Sequence, residues 1–347
     1  MSDPPLKPAI APSASRMRSR LAIVIQIVGF AIGIALLVWI IAQARQDLTP
    51  DKIDQLREAE AWRVGLIVVL SVSSVVLNGV MWWAAITPVR RVPLVDCLGV
   101  NAVASALALL PFKLSVVFRV LIHRRRHGVP MLTFGGWGAA LVALMLAALG
   151  PAVGASLLLP GGSMAWWAAS IGGGGALLGV GVVLARYFST GAGWRVLRRV
   201  VERVLGERGV RLMNSSPVEN AHQGVFMLAS PGWTFLGGGL RFTDTMAYAA
   251  RFWLASSIVG VSISVGDAAV VGVSYFIISV IAPTGSAGVR EAGTAGVFAL
   301  LRIPDPALTV AFVGAIELGV GIVTGVLGAL VLNPRRMFAP RVTLADG

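Results

Sequence analysis

Residues 268–303 read AAVVGVSYFIISVIAPTGSAGVREAGTAGVFALLRI. An apolar arm of about 15 residues runs into Pro283, Gly285 and Gly288, then Arg290 and Glu291, then a second apolar arm. As a helix the first arm spans roughly 22 Å, short of the roughly 30 Å hydrocarbon core of a bilayer. Arms this short suit a re-entrant hairpin that enters and leaves on one side. Irregular backbone at membrane depth is tolerated only where protein or a watery cavity surrounds it. The stretch therefore predicts a broken helix beside a polar cavity.

The rest of the chain makes a membrane the natural setting. Of 347 residues, 56% are hydrophobic and 13% charged, and the mean hydropathy is +0.81. A soluble domain cannot hide that much apolar surface. The net charge of +13 would suit nucleic acid by number alone. The Lys and Arg cluster between apolar runs instead, which excludes nucleic acid as the partner and points to membrane topology. Cys97 is the single cysteine, so no thiolate cluster can form. His123 and His127 flank three arginines, a poor place for a cation, and His222 stands apart. Neither a metal nor a cofactor is expected.

Six runs are long and apolar enough to cross: 21–43, 62–87, 131–159, 164–188, 243–265 and 306–332. The first ends in Ala42, Gln43 and Ala44, like a signal-peptidase site, but its length favours a retained span. A second interrupted stretch, LVDCLGVNAVASALALLPFKLSVVFRVLIHRRRH at 94–127, repeats the design of 268–303. With the N-terminus in the cytoplasm and both hairpins re-entrant, 21 of the 29 Lys and Arg fall on the cytoplasmic side. The expected fold is an all-α polytopic membrane protein with six full spans and two re-entrant hairpins. A cytoplasmic tail at 1–20 precedes a single domain at 21–332, and a second tail occupies 333–347. Residues 213–242 are expected as an interfacial or packed segment. Trp62, Trp82, Trp83, Trp166 and Trp167 lie near span ends, as an aromatic belt does. Residues 194–208 put Trp194, Leu197, Val201, Val204 and Leu205 on one helix face and Arg195, Arg198, Arg199 and Arg203 on the other. That pattern suits a helix lying on the cytoplasmic leaflet.

The second span, first hairpin and third span carry the same three elements as the fifth span, second hairpin and sixth span. They run in opposite orientation. Inverted repeats with broken helices at their interface are a transporter architecture. A helix starting after Gly288 points its amides into the cavity, where they attract an anion. Arg290 adds a bidentate donor for phosphate or carboxylate, and Glu291 a proton or cation partner. Equally, this pair can cap and brace the hairpin. Arg251 and Glu317 fall near mid-bilayer, where an unpaired charge is costly, and so can pair with each other or face substrate. Arg119 is a phosphate candidate or a snorkelling interfacial arginine.

The element PTGSAGVRE at 283–291 resembles a Pro- and Gly-rich Arg–Glu motif of the flippase-like transmembrane region of lysylphosphatidylglycerol synthases. Pro111, Arg119 and HRRRHGV at 123–129 fit that family's earlier element, although Phe112 and Lys113 replace its Pro–Gly turn. Glu317 stands where the family often has an arginine. The resemblance covers roughly 62–332 and implies an inner-membrane protein that moves a phospholipid or lipid-linked headgroup. The synthases' aminoacyl-transferase domain is not expected, because 15 residues follow the last span; an enzymatic role is not expected either. The alternative is a non-transporting subunit that partners a lipid- or envelope-synthesising enzyme.

Overall fold

The computed structural model describes residues 12–87, 91–110, 113–129, 131–215, 218, 228–282 and 287–333. Among these the fold is all-helical, with no strand. Twelve helices are numbered here among the described residues: α1 Pro12–Asp47, α2 Pro50–Arg57, α3 Ala61–Ile86, α4 Leu94–Leu107, α5 Leu114–His127, α6 Met131–Leu158, α7 Met164–Ser189, α8 Gly191–Met213, α9 Pro231–Ile258, α10 Val265–Ile281, α11 Val289–Leu300 and α12 Pro306–Leu332.

Five of them, α1, α3, α6, α7 and α12, are long and apolar enough to cross a membrane. Their outer faces are greasy: Val183 is 66% exposed and Val323 59%, as expected where lipid rather than water is the solvent. Helix α9 is equally long at 28 residues, about 42 Å, but carries Arg241, Asp244 and Arg251 on its buried face.

This helix corrects one expectation. The fifth span does not begin at 243 and reach 265. It starts at Pro231 behind Ser230 and ends at Ile258, so 231–242 belongs to it. The Gly237–Gly239 triplet does not break the helix, because two of these glycines are packing positions. A Cβ on Gly238 would overlap Leu178 of α7, and one on Gly237 would press on Leu144 of α6. The aromatic belt is also only partly present. Trp62 is 59% exposed, but Trp166 is fully buried and donates its indole N–H to Ser156 at 2.9 Å. Trp82 lines an internal cavity.

The two interrupted stretches form two pairs of short helices, α4 with α5 and α10 with α11, each pair packed on itself. None exceeds 17 residues, or about 26 Å. Helix α3 packs on α9, α4 on α12 and α10 on α6; α3 also packs on α12, and α9 on α6. Exchanging the units α3–α6 and α9–α12 maps this set of contacts onto itself. Each unit's hairpin lies against the other unit's last helix.

The hairpins open towards opposite ends. At one end Arg126 of α5 pairs with Asp96 of α4 at 3.0 Å and donates to the carbonyl of Leu332, the last residue of α12. At the other end Asp305, just before α12, pairs with Lys52 of α2. Gly266, at the start of α10, abuts Gly161 of the α6–α7 turn at that same end. Between the ends the tips approach, with Lys113 Nζ 3.5 Å from the Val280 carbonyl.

Candidate functional site

The hairpin tips and the helices around them enclose a cavity of about 490 Å³. All eight helices of the two units contribute to its wall. Five cations line it among the described residues, Lys113, Arg119, Arg241, Arg251 and Arg290, against the single carboxylate Glu317.

Each of these side chains is held by its element. Glu317 sits on α12, where one carboxylate oxygen takes Arg251 of α9 and the other takes Arg290 of α11 at 2.9 Å. Tyr275 of α10 donates its hydroxyl to Glu317 at 2.6 Å. Arg290 also donates through Nη2 and Nε to Glu291 Oε1, at 2.6 and 3.0 Å. The second Glu291 oxygen accepts the Gly288 amide at 2.6 Å, closing the N-terminus of α11. Arg251 is fully buried. It reaches the Ser71 and Ser74 hydroxyls of α3, both at 3.2 Å, and lies over the Tyr248 ring. Two guanidinium groups thus share one carboxylate, a compact way to keep charge in a low-dielectric site.

A second cluster joins α9 to α3. Arg241 pairs with Asp244 at 2.7 Å, and Asn78 bridges both, donating to Asp244 and accepting from Arg241 at 3.1 Å each. A third belongs to the first hairpin. Arg119 donates to Asn101 Oδ1 at 2.7 Å and stacks on Trp82, 5.1 Å from the ring centre. Asn101 is held in turn by the Val75 carbonyl at 2.7 Å. Arg119 has no carboxylate partner among the described residues, and its buried Nε makes no hydrogen bond.

The structure therefore brings Arg290, Glu291, Arg251, Glu317 and Arg119 around one cavity. Glu291 is both a helix cap and an ion-pair partner, so the bracing role exists whatever else it does. Gly288 has φ +80° and a Cβ there would overlap the Gly33 carbonyl of α1, so this turn also seats the first span. Pro283 and Gly285 lie outside the described residues.

Reasoning from the sequence missed Ser71, Ser74, Asn78, Asn101, Tyr248 and Tyr275. Ser71, Ser74 and Asn78 stand three and four residues apart, a polar stripe on one face of an apolar span. That spacing was available as a signal.

The lining favours an anion. Five cations face three carboxylates when Asp244 and Glu291 behind the wall are included, and no chemistry other than charge recognition is needed to hold a phosphate or carboxylate there. A family model described as the lysylphosphatidylglycerol synthase TM region matches residues 26–338. No curated protein and no solved structure matches the chain.

Proposed function

The chain belongs to the family of the lysylphosphatidylglycerol synthase transmembrane region, and from that premise we propose that it is a lipid translocase whose anionic headgroup substrate passes through the cavity between the hairpin tips. It is a multi-pass membrane protein of a lipid-handling family. One observation carries the finer reading: a cavity with excess guanidinium charge lies where two hairpins from opposite ends meet. An amphiphile's phosphate would traverse this cavity while its tails stay in lipid.

On this reading the chain is a carrier rather than an enzyme. The Arg251–Glu317–Arg290 bridge ties α9, α11 and α12 together, and its making and breaking would bias the two access states. A bacterial-type inner membrane with both termini cytoplasmic suits the distribution of Lys and Arg. Anionic membrane lipids are the partners, and a lipid-synthesising enzyme would supply or consume them.

The test is movement of fluorescent phospholipids between leaflets in proteoliposomes, wild type against Arg119→Gln and Arg290→Lys. Loss of movement in correctly folded variants is the expected result. No movement by the wild type with any phospholipid or polyprenyl-phosphate probe would overturn translocation and leave the accessory-subunit reading.

A further inference from the structure

The two halves of the cavity are not alike. In the second unit Arg290 of α11 reaches Glu317, the twelfth residue of α12, and the ion pair holds these helices together. In the first unit the twelfth residue of α6 is Val142, and α6 contains no charged residue at all. Arg119 and α6 both line the cavity, and α6 offers the guanidinium no anion.

The wall beside it is open. Val116 of α5, Val142 of α6 and Val280 of α10 all line the cavity, yet they are 49%, 42% and 39% exposed. The rim is apolar at these valines, with the exposed Lys113 beside Val280, and the Arg119 guanidinium lies inside. A water-borne anion gains nothing from the valines, and passing between them strips hydration that only the two cations could offset. An amphiphile does, since its tails remain against the valines while its headgroup moves inward.

We propose that the opening between α5, α6 and α10 is the lateral entry of a phosphate-bearing lipid, and that the lipid phosphate is the counter-ion that no carboxylate among the described residues supplies to Arg119. This rests on the lipid-handling reading above. Arg119 Nε and the Lys113 ammonium supply donors, Asn101 fixes the guanidinium plane, and Trp82 backs it. Bound phosphate would give Arg119 the charge partner that Glu317 gives Arg290, without any side chain of α6.

The experiment uses the full chain, delipidated in maltoside micelles that contain no phosphate. It is photolysed with phosphatidic acid or with diacylglycerol, each carrying a diazirine on one acyl chain. Phosphatidic acid is expected to label peptides around Val116, Val142 and Val280 at least about tenfold more than diacylglycerol, with Arg119→Gln removing about ten- to a hundredfold of that preference, the worth of a charge-assisted contact. Thermal unfolding of the variant checks its fold. If it does not fold, the two probes on the wild type decide alone. Equal labelling by both probes, or labelling confined to other helices, would overturn the proposal. So would inorganic phosphate that shields Arg119 thermally while neither lipid labels the opening, which would assign the site to free phosphate. Labelling needs no transport: a protein that labels here but moves no lipid defeats the translocase reading alone, and one that moves lipid without labelling here defeats this one alone.

Discussion

Glu317 is the residue on which the charge network turns. It serves two guanidinium groups and a tyrosine hydroxyl, and its removal leaves the buried Arg251 with no carboxylate among the described residues, while Arg290 keeps Glu291. Glu317→Ala should cost about 3–5 kcal/mol, the usual penalty for leaving a buried charge unpaired, and should show as the largest fall in Tm among the cavity variants. Arg290→Ala should cost less, about 1–3 kcal/mol, because Glu317 keeps Arg251 and Tyr275 and Glu291 keeps the Gly288 amide. Differential scanning fluorimetry in detergent ranks the two. The opposite order would mean that Arg290 and Glu291 carry the hairpin and Glu317 is peripheral. The sequence already marked these residues, because a charge in an apolar span has few neutral explanations. It could not show that Glu317 is shared, since the three partners come from three separate helices, α9, α10 and α11, that meet α12 only when the second unit packs on itself. Arg119 is the converse case, where the sequence left a snorkelling arginine and a ligand contact open. In the structure Arg119 turns onto Asn101 and Trp82 at the cavity, contacts that no local sequence pattern reveals.

Helices make the second scale of argument. Gly288 has a positive φ and abuts the Gly33 carbonyl, so Gly288→Ala should strain the turn by about 1–3 kcal/mol and lift α1 from α11. Gly179 of α7 has open space around its Cα, and Gly179→Ala should be neutral or stabilise by up to about 1 kcal/mol. Thermal unfolding of the two variants separates a glycine needed for conformation from one that only faces lipid. Helix α8 follows α7 directly and among the described residues packs chiefly on it. Val196, Val200 and Val204 form an exposed stripe beside Arg195, Arg199 and Arg203, which are also exposed. A bimane on Val204→Cys, with Cys97 replaced by Ser, should be quenched more by brominated lipids in anionic than in zwitterionic nanodiscs. Changing the three arginines to Gln should remove that difference, at about 1 kcal/mol per charge. Equal quenching in both would make α8 a solvated linker. The helical state of 194–205 and the shortness of both hairpins were legible because each is local, but Trp194, Leu197 and Val201 of the apolar face read from the sequence are half-buried, and the exposed valines at 196 and 200 lie outside that face. The start of α9 was not, because a Ser-Pro-Gly followed by three glycines reads as a break. Packing on Leu178 and Leu144 overrides that propensity.

At the scale of the whole molecule, the contacts constrain topology without any membrane present. Lys52 meets Asp305 at one end, and Arg126 meets the Leu332 carbonyl at the other. Helix α9 joins the ends: its approach segment lies beside Arg186 through the Ala229 carbonyl, and Gly260 beyond its far end abuts Gln55 of α2. A helix of this length with its ends at opposite poles crosses despite its charges, which it can do because they are turned inwards and paired. On the orientation proposed above, the pole of Arg126 would face the cytoplasm. Two single-cysteine variants in a Cys97→Ser background test this directly. Asp54 on α2 and Glu207 on α8 are both well exposed, at 66% and 92%. In intact spheroplasts an impermeant maleimide should label Asp54→Cys and reach Glu207→Cys only after permeabilisation. Three full crossings separate the two sites, α3, α6 and α7, while the first hairpin adds none. Labelling of both from outside would require an even number of crossings between them. That would break the antiparallel relation of the two units, and with it any exchange of access through a cavity shared by hairpins from opposite faces.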